Sequence, residues 1–278
     1  MTYDQLYREC RRKLTHDTAD FDLSQLFHAQ FSPDGRICRS DAEVSAEEAF
    51  VLRQKVRRLA DGYPLQYLLG EWEFYSIPLA VGEGVLIPRP DTETLVDAAL
   101  ELLGGMEHPV IADYCAGSGA ISLALAHFLP QAQVYAVELS SEALSYLYTN
   151  VGAAPGGERV TIIEADVLNP ASLSDLPLLD LLISNPPYLT EQELEEIPPQ
   201  VRHEPRIALD GGPDGLRFYR AIAADAPSRL KENGLLIFEA GYTQAGQICD
   251  ILRQNGFHEI TVRKDLAGID RCVIARRP

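Results

Sequence analysis

Val110-Ile-Ala-Asp-Tyr-Cys-Ala-Gly117-Ser-Gly119-Ala-Ile-Ser122 decides how this chain is read. An apolar run ends on Asp113, a turn of small residues follows, and a helical pattern opens near Gly119. In an open α/β sheet such a turn lies outside the carboxyl end of a strand, where these sheets bind ligands. The glycines let backbone approach a ligand closely. A full dinucleotide fingerprint wants a third glycine where Ser122 stands, so a nicotinamide reading loses ground.

Working outward, short apolar runs alternate with amphipathic segments from about residue 85 onward. The pattern predicts strands at 109–113, 133–138, 160–164, 179–184, 234–239, 258–263 and 271–275. Helices are expected at about 92–103, 119–129, 141–151, 213–230 and 244–254. This alternation predicts an α/β fold with a doubly wound, mostly parallel seven-stranded sheet. The last two strands have no room for a helix between them and are expected to be antiparallel.

Upstream, Leu6, Cys10 and Leu14 form one apolar stripe, and Ser45-Ala-Glu-Glu48 has capping-box spacing before Ala49, Leu52, Val56 and Leu59. That helix is expected to stop near Asp61-Gly62, ahead of Pro64. Ser32 to Arg36 reads as a turn. Trp72, Phe74, Leu79 and Val81, interrupted at Ser76 to Pro78, read as a hairpin. The expected organisation is a small N-terminal helical domain over 1–70, a β-hairpin linker over 71–84 and a main domain over 85–278.

Composition narrows the function. The 278 residues are 46% hydrophobic and 23% charged, ordinary for a soluble globular chain. The net charge is −17, from 24 Lys+Arg against 41 Asp+Glu. Residues 1–60 hold ten of each sign, so the whole excess of acid lies beyond them. That weighs against a phosphate backbone as the main partner. The five cysteines are scattered with no CxxC, and the six histidines form no HxxxH. No metal site and no disulfide framework are expected, and a reducing cytoplasm fits. No signal-peptide pattern is present, and no apolar run approaches the ~18 residues of a membrane span.

Three further segments fall at predicted strand ends. Glu138 closes the second strand, 21 residues after Gly117, and is placed to accept the hydrogens of a ribose diol. Hydrogen bonds of that charged kind contribute roughly 1.5–3 kcal/mol. After the third strand, Asp166 is placed for an exocyclic amine of adenine and Val167 for packing on the base. After the fourth stands Asn185-Pro186-Pro187-Tyr188. Two prolines cannot extend the strand and stiffen the loop. The Asn185 side-chain oxygen and the Pro186 carbonyl then form a rigid acceptor pair for a planar NH2 group, and Tyr188 offers a π-face.

Together these segments resemble the class I S-adenosylmethionine-dependent methyltransferases that modify planar NH2 nitrogens. More specific are Leu86-Ile-Pro-Arg-Pro-Asp-Thr-Glu93, Pro64-Leu-Gln-Tyr-Leu-Leu-Gly70, Glu204-Pro205, Ala208-Leu-Asp-Gly-Gly212 and Glu239-Ala-Gly241. These are similar to the peptide chain release factor glutamine methyltransferases, the PrmC/HemK family, over nearly the whole chain. The resemblance implies methylation, by S-adenosylmethionine, of the side-chain amide (N5) of the glutamine in the Gly-Gly-Gln motif of class 1 release factors. S-adenosylhomocysteine is the implied product.

On that reading, Asp113, Cys115, Ala116, Gly117, Ser118, Gly119, Glu138, Asp166, Val167 and Asn185 are assigned to the donor. Asn185, Pro186, Pro187, Tyr188 and Arg89 are assigned to the substrate, with Asn185, Pro186 and Tyr188 catalytic. Asp113 either lies near the donor's ammonium or fixes the glycine turn. The chain departs from the family at Glu138, where many members have Asp, at Val167, where some carry an aromatic, and at His203. The segment 189–212 is expected to be a long loop closing over the glutamine, and the N-terminal module a docking element. The rivals are an N6-adenine nucleic-acid methyltransferase, a glutamine methyltransferase of a ribosomal protein and a non-enzymatic binding module.

Overall fold

A computed structural model describes residues 1–32 and 39–277. The expected turn at Ser32 to Arg36 therefore lies, beyond Ser32, outside the described residues. The chain divides into two compact units, one of Met1–Glu71 with Pro198–His203 and one of Trp72–Ile197 with Glu204–Pro278.

The first unit holds α1 (Tyr3–Arg11), α2 (Ala19–Phe31), α3 (Ala46–Ala60) and α4 (Leu65–Leu69). Capping boxes start two of them, Thr2 with Gln5 on α1 and Ser45 with Glu48 on α3. Each satisfies two backbone N–H groups that a helix start leaves orphaned. The Leu6–Cys10–Leu14 stripe is buried, and Phe27 meets Tyr3 and Tyr7 edge-on at 5.0 and 4.9 Å. Arg53 of α3 forks onto both carboxylate oxygens of Glu9 at 2.8 and 2.7 Å, joining α3 to α1.

Next in sequence come β1 (Glu71–Phe74) and β2 (Ile77–Ala80). Their turn is Tyr75-Ser76, both at positive φ (52° and 61°), as a two-residue hairpin of the right twist requires. The break thus comes earlier than expected, and Pro78 sits inside β2. An exposed position on a two-stranded ribbon tolerates its missing N–H.

The second unit contains α5 (Glu93–Leu103), β3 (Val110–Tyr114), α6 (Ala120–Phe128), β4 (Gln133–Glu138), α7 (Ser141–Ala153), β5 (Val160–Glu164), β6 (Leu179–Ser184) and α8 (Glu191–Glu196). It ends with α9 (Arg217–Arg229), β7 (Leu230–Glu239), α10 (Ala245–Gln254), β8 (His258–Lys264) and β9 (Asp270–Arg276). The sheet order is β5-β4-β3-β6-β7-β9-β8, parallel except for β9, which runs antiparallel to both neighbours. Apolar layers cover both faces, one with α5 and α6, the other with α9 and α10. Burial on both faces explains why β3, β6 and β7 read as nearly continuous apolar runs.

Two details depart from expectation. Strand β7 begins at Leu230 rather than 234, with Asn233 at φ 61° breaking its regularity. The segment 189–212 is not a structureless loop. It contains α8, opened by a Thr190–Glu193 capping box, and Leu189 pairs with Asp210 across its base. The Thr190-x-x-Glu193 spacing carried that signal in the sequence.

Candidate functional site

Strand order reverses at β3. The chain leaves β3 toward β4 and later crosses back to β6, so a crevice opens at the carboxyl ends of β3 and β6. Tyr114 and Ser184 are register partners there, and Ser184 Oγ donates to the Tyr114 carbonyl at 2.7 Å. Cys115 and Asn185, the next residues of each strand, therefore leave the sheet side by side. Glu138 and Glu164 are likewise paired at the ends of β4 and β5. The parallel register thus gathers four sequence segments at one edge, around a cavity of ≈ 510 Å³.

The turn after β3 is made by backbone. Cys115, Gly117 and Gly119 have φ of 61°, 56° and 85°. A side chain at 119 would bring its Cβ within 2.6 Å of Leu147 Cδ1, so both conformation and space demand glycine. Glu138 locks this turn. Its Oε2 accepts from the Gly117 N–H at 2.8 Å, and its Oε1 from Leu139 and Ser140, both at 2.8 Å. Asn150 of α7 clamps the other side. Its Oδ1 accepts from the Ala80 N–H (2.7 Å), and its Nδ2 donates to the carbonyls of Ala80 (3.1 Å) and Ser118 (2.9 Å).

Asp113 lies beneath, 1% exposed, with Oδ2 accepting from Ser122 N–H at 3.0 Å and Ser122 Oγ at 2.6 Å. It thereby ties β3 to the first turns of α6. Burial pushes its pKa up to about 7, against the Ser122 hydrogen bonds that lower it. Ser122, which spoils the dinucleotide fingerprint, is thus Asp113's anchor. Oδ1 of Asp113 is buried without a hydrogen-bond partner among the described residues.

Cys115, Ala116, Gly117, Ser118, Glu138, Asp166, Val167, Asn185, Pro187 and Arg89 line the cavity; Asp113, Gly119, Pro186 and Tyr188 do not. Asp166 Oδ1 accepts from the Leu168 N–H at 2.8 Å, and Val167 is buried. Arg89 is ion-paired to Glu204, which also accepts from the Ile87 N–H at 3.2 Å. Burial raises the Glu204 pKa, opposed by the Arg89 guanidinium.

The loop after β6 is held by buried side chains from distant parts of the sequence. Asn185 Nδ2 donates to Thr92 Oγ1 at 3.3 Å, and Thr92 Oγ1 donates to Glu239 Oε2 at 2.5 Å. Glu239 Oε1 receives the Tyr188 hydroxyl at 3.4 Å. Tyr188 is therefore turned back toward the end of β7, where burial raises its pKa and the Glu239 charge adds to the rise. Glu239 is 1% exposed, and burial pushes its pKa up to about 7, opposed by the Thr92 hydrogen bond and the Arg271 charge. Behind the loop, Gly211 and Gly215 pack on the Tyr188 backbone, and Gln244 Nε2 donates to the Tyr188 carbonyl at 2.9 Å. No signal within the sequence joins Thr92, Asn185 and Glu239, because their pairing exists only across the sheet.

This strand order, with a glycine turn after β3 and a polar loop after β6, defines a class I methyltransferase. The model of the methyltransferase small domain matches residues 92–201. The catalytic domain of hMettl16, solved with the MAT2A 3'UTR hairpin 1, superposes with TM-score 0.59 at 17% identity, covering 92% of this chain and 90% of that one. A methyltransferase from Pyrococcus furiosus gives 0.53 at 14% identity over 73% and 90% of the chains.

Sequence relatives are nearer. The release factor glutamine methyltransferase of Moorella thermoacetica is 44% identical over 87% of this chain and 84% of its own. That of Geobacter sulfurreducens is 42% identical over 85% and 81%. The chain belongs to the release factor glutamine methyltransferase family. Among the described residues no helix is long and apolar enough to cross a membrane, and no group of three or more His, Cys, Asp or Glu is placed to hold a metal ion.

Proposed function

We propose that this enzyme transfers a methyl group from S-adenosylmethionine to the side-chain amide nitrogen of the glutamine in the Gly-Gly-Gln motif of class 1 peptide chain release factors. The observation that carries the reading is Asn185 on the cavity wall, its Nδ2 engaged by Thr92 and its Oδ1 left for a ligand's N–H.

The cavity fits the donor. Its wall offers the positive-φ turn at 115–119, the Glu138 and Asp166 carboxylates and the apolar Val167. Cys115 to Gly119, Glu138, Asp166 and Val167 would hold it, and when bound it supplies an electrophilic sulfonium methyl. Asp113 acts from below by fixing the turn.

The amide nitrogen is a poor nucleophile because its lone pair is delocalised into the carbonyl. Positioning is then the main resource, and well-oriented reactants gain roughly 7–11 kcal/mol. Asn185 Oδ1 and the Pro186 carbonyl accept the two amide hydrogens, aim the nitrogen and stabilise the positive charge that builds on them. Tyr188 and Pro187 keep this pair rigid. The alkylated amide is strongly acidic, so its proton passes to water without a dedicated base. Arg89, held by Glu204, forms the substrate side of the cavity. Residues 1–70 serve as the docking module and 71–84 as the linker, and segment 189–212 closes over the bound glutamine. The scattered thiols suit work in the cytoplasm.

The test is methyl transfer from radiolabelled S-adenosylmethionine to purified release factor, to its Gln→Ala variant in Gly-Gly-Gln, to ribosomal protein and to bulk RNA and DNA. Label on the wild-type factor alone is expected. Label on nucleic acid or ribosomal protein, with none on the factor, would overturn the assignment.

A further inference from the structure

An asparagine amide is nearly symmetric in shape, so packing alone does not decide which end faces a ligand. If the carboxamide after β6 turned over, its NH2 would face the incoming NH2, donor against donor. Something must break the symmetry. We propose that Thr92 and Glu239 are positioning residues that fix the orientation of the Asn185 amide. This rests on the glutamine-methylation reading above and deepens it.

One hydrogen decides the orientation. The Thr92 hydroxyl carries a single proton, and Glu239 Oε2 lies 2.5 Å from Thr92 Oγ1. Above about pH 7, where Glu239 is mostly ionised, its carboxylate can only accept, so that proton is committed to Glu239. The lone pairs of Thr92 Oγ1 then face Asn185 at 3.3 Å. They attract an N–H and repel a carbonyl, so Nδ2 turns inward and Oδ1 toward the cavity. A charge on the end of β7 thus sets the polarity of an amide at the end of β6, through the residue preceding α5. Thr92 and Glu239 are 4% and 1% exposed, Thr92 on the cavity wall and Glu239 behind it.

The carboxylate is itself placed from several sides. Tyr188 donates to its other oxygen, Tyr219 donates to its backbone carbonyl at 2.8 Å, and Cys272 is its register partner on β9. Arg271, with Asp91 at 3.5 Å and Asp265 at 3.2 Å, supplies the nearby positive charge that favours ionised Glu239. Were Glu239 protonated, it could donate to Thr92, and the freed Thr92 proton could turn to Asn185 Oδ1. The orientation would then be lost.

The test separates hydroxyl from shape. Thr92→Val keeps the volume and removes the proton; Thr92→Ser keeps the proton and removes a methyl. With 15N-asparagine labelling, the Asn185 side-chain signal, assigned by its absence in Asn185→Ala, reports hydrogen-exchange protection without any turnover. Protection is expected in wild type and T92S and lost in T92V. In parallel, single-turnover methylation of release factor at saturating donor is expected to fall roughly tenfold in T92V and to recover to within about threefold in T92S. The S-adenosylmethionine Kd should stay within about twofold in both.

Equal protection in T92V and T92S, or equal rates, would overturn the inference. A wild type that fails to methylate release factor would defeat the functional reading alone, since the exchange arm still decides this one. Should T92V not fold, Thr92→Ala takes its place in the exchange measurement. Reduced Asn185 protection supports the relay, and unchanged protection overturns it.

Discussion

The two halves of the cavity are built on different principles. The half after β3 is backbone, a turn of positive-φ residues braced by Glu138 only 21 residues from Gly117. The half after β6 is a chain of side chains, with Thr92 lying 93 residues from Asn185 and 147 from Glu239. Backbone needs glycines, small residues and a nearby brace, and its amides cannot be pointed the wrong way once φ and ψ are set. A side-chain amide can be, so the second half requires buried long-range partners.

The sharpest test of this contrast is Asn185→Ala. Methyl transfer should drop by about a thousandfold or more, while S-adenosylmethionine affinity measured by calorimetry changes less than about threefold. Equal losses in both would mean that the halves are not separable.

Glu239 offers a test through pH. Its pKa is raised from 4.5 to about 7 in the folded protein, chiefly by burial. The native state therefore binds this proton more tightly than the unfolded state does. The associated stability is fully present below pH 4.5 and lost as pH rises through about 7, worth on the order of 3 kcal/mol. Asp113, raised from 3.8 to about 7, acts in the same sense. Urea midpoints of the wild type should fall between pH 5 and 8, and Glu239→Gln should flatten that slope. An identical slope in the variant would remove Glu239 as a titrating group.

Asn150→Ala probes the backbone half. It orphans the Ala80 N–H and the Ser118 carbonyl, so stability should fall by about 2 kcal/mol in denaturant unfolding. Donor affinity should weaken several-fold, with the methylation rate at saturating donor little changed. A loss in that rate instead would place Asn150 in the other half.

The same contrast explains what the sequence made legible. The doubly wound sheet, the turn at 115–119 and the acid at 138 are local patterns tied to strand and helix periods. Asn185-Pro-Pro-Tyr was conspicuous because two prolines at a strand end demand a reason. Thr92 and Glu239 carry no such local signal, since nothing along the chain joins them. The direction of Tyr188 also escaped, because its partner Glu239 arrives 51 residues later. Asn150 was hidden inside an ordinary amphipathic helix. Only its burial at 3% exposure marks it as more than a surface amide.

The order of the sheet has one more consequence, in the time of synthesis. Strand β9 lies between β7 and β8, yet it is made after both. At about 5–20 residues per second, several seconds pass in which β7 presents an open apolar edge and β8 has nothing to pair with. Glu239, at the end of β7, gains its Arg271 counter-charge only when β9 slots in. The side-chain half of the cavity therefore stays without its Arg271 counter-charge until β9, made after both β7 and β8, is in place.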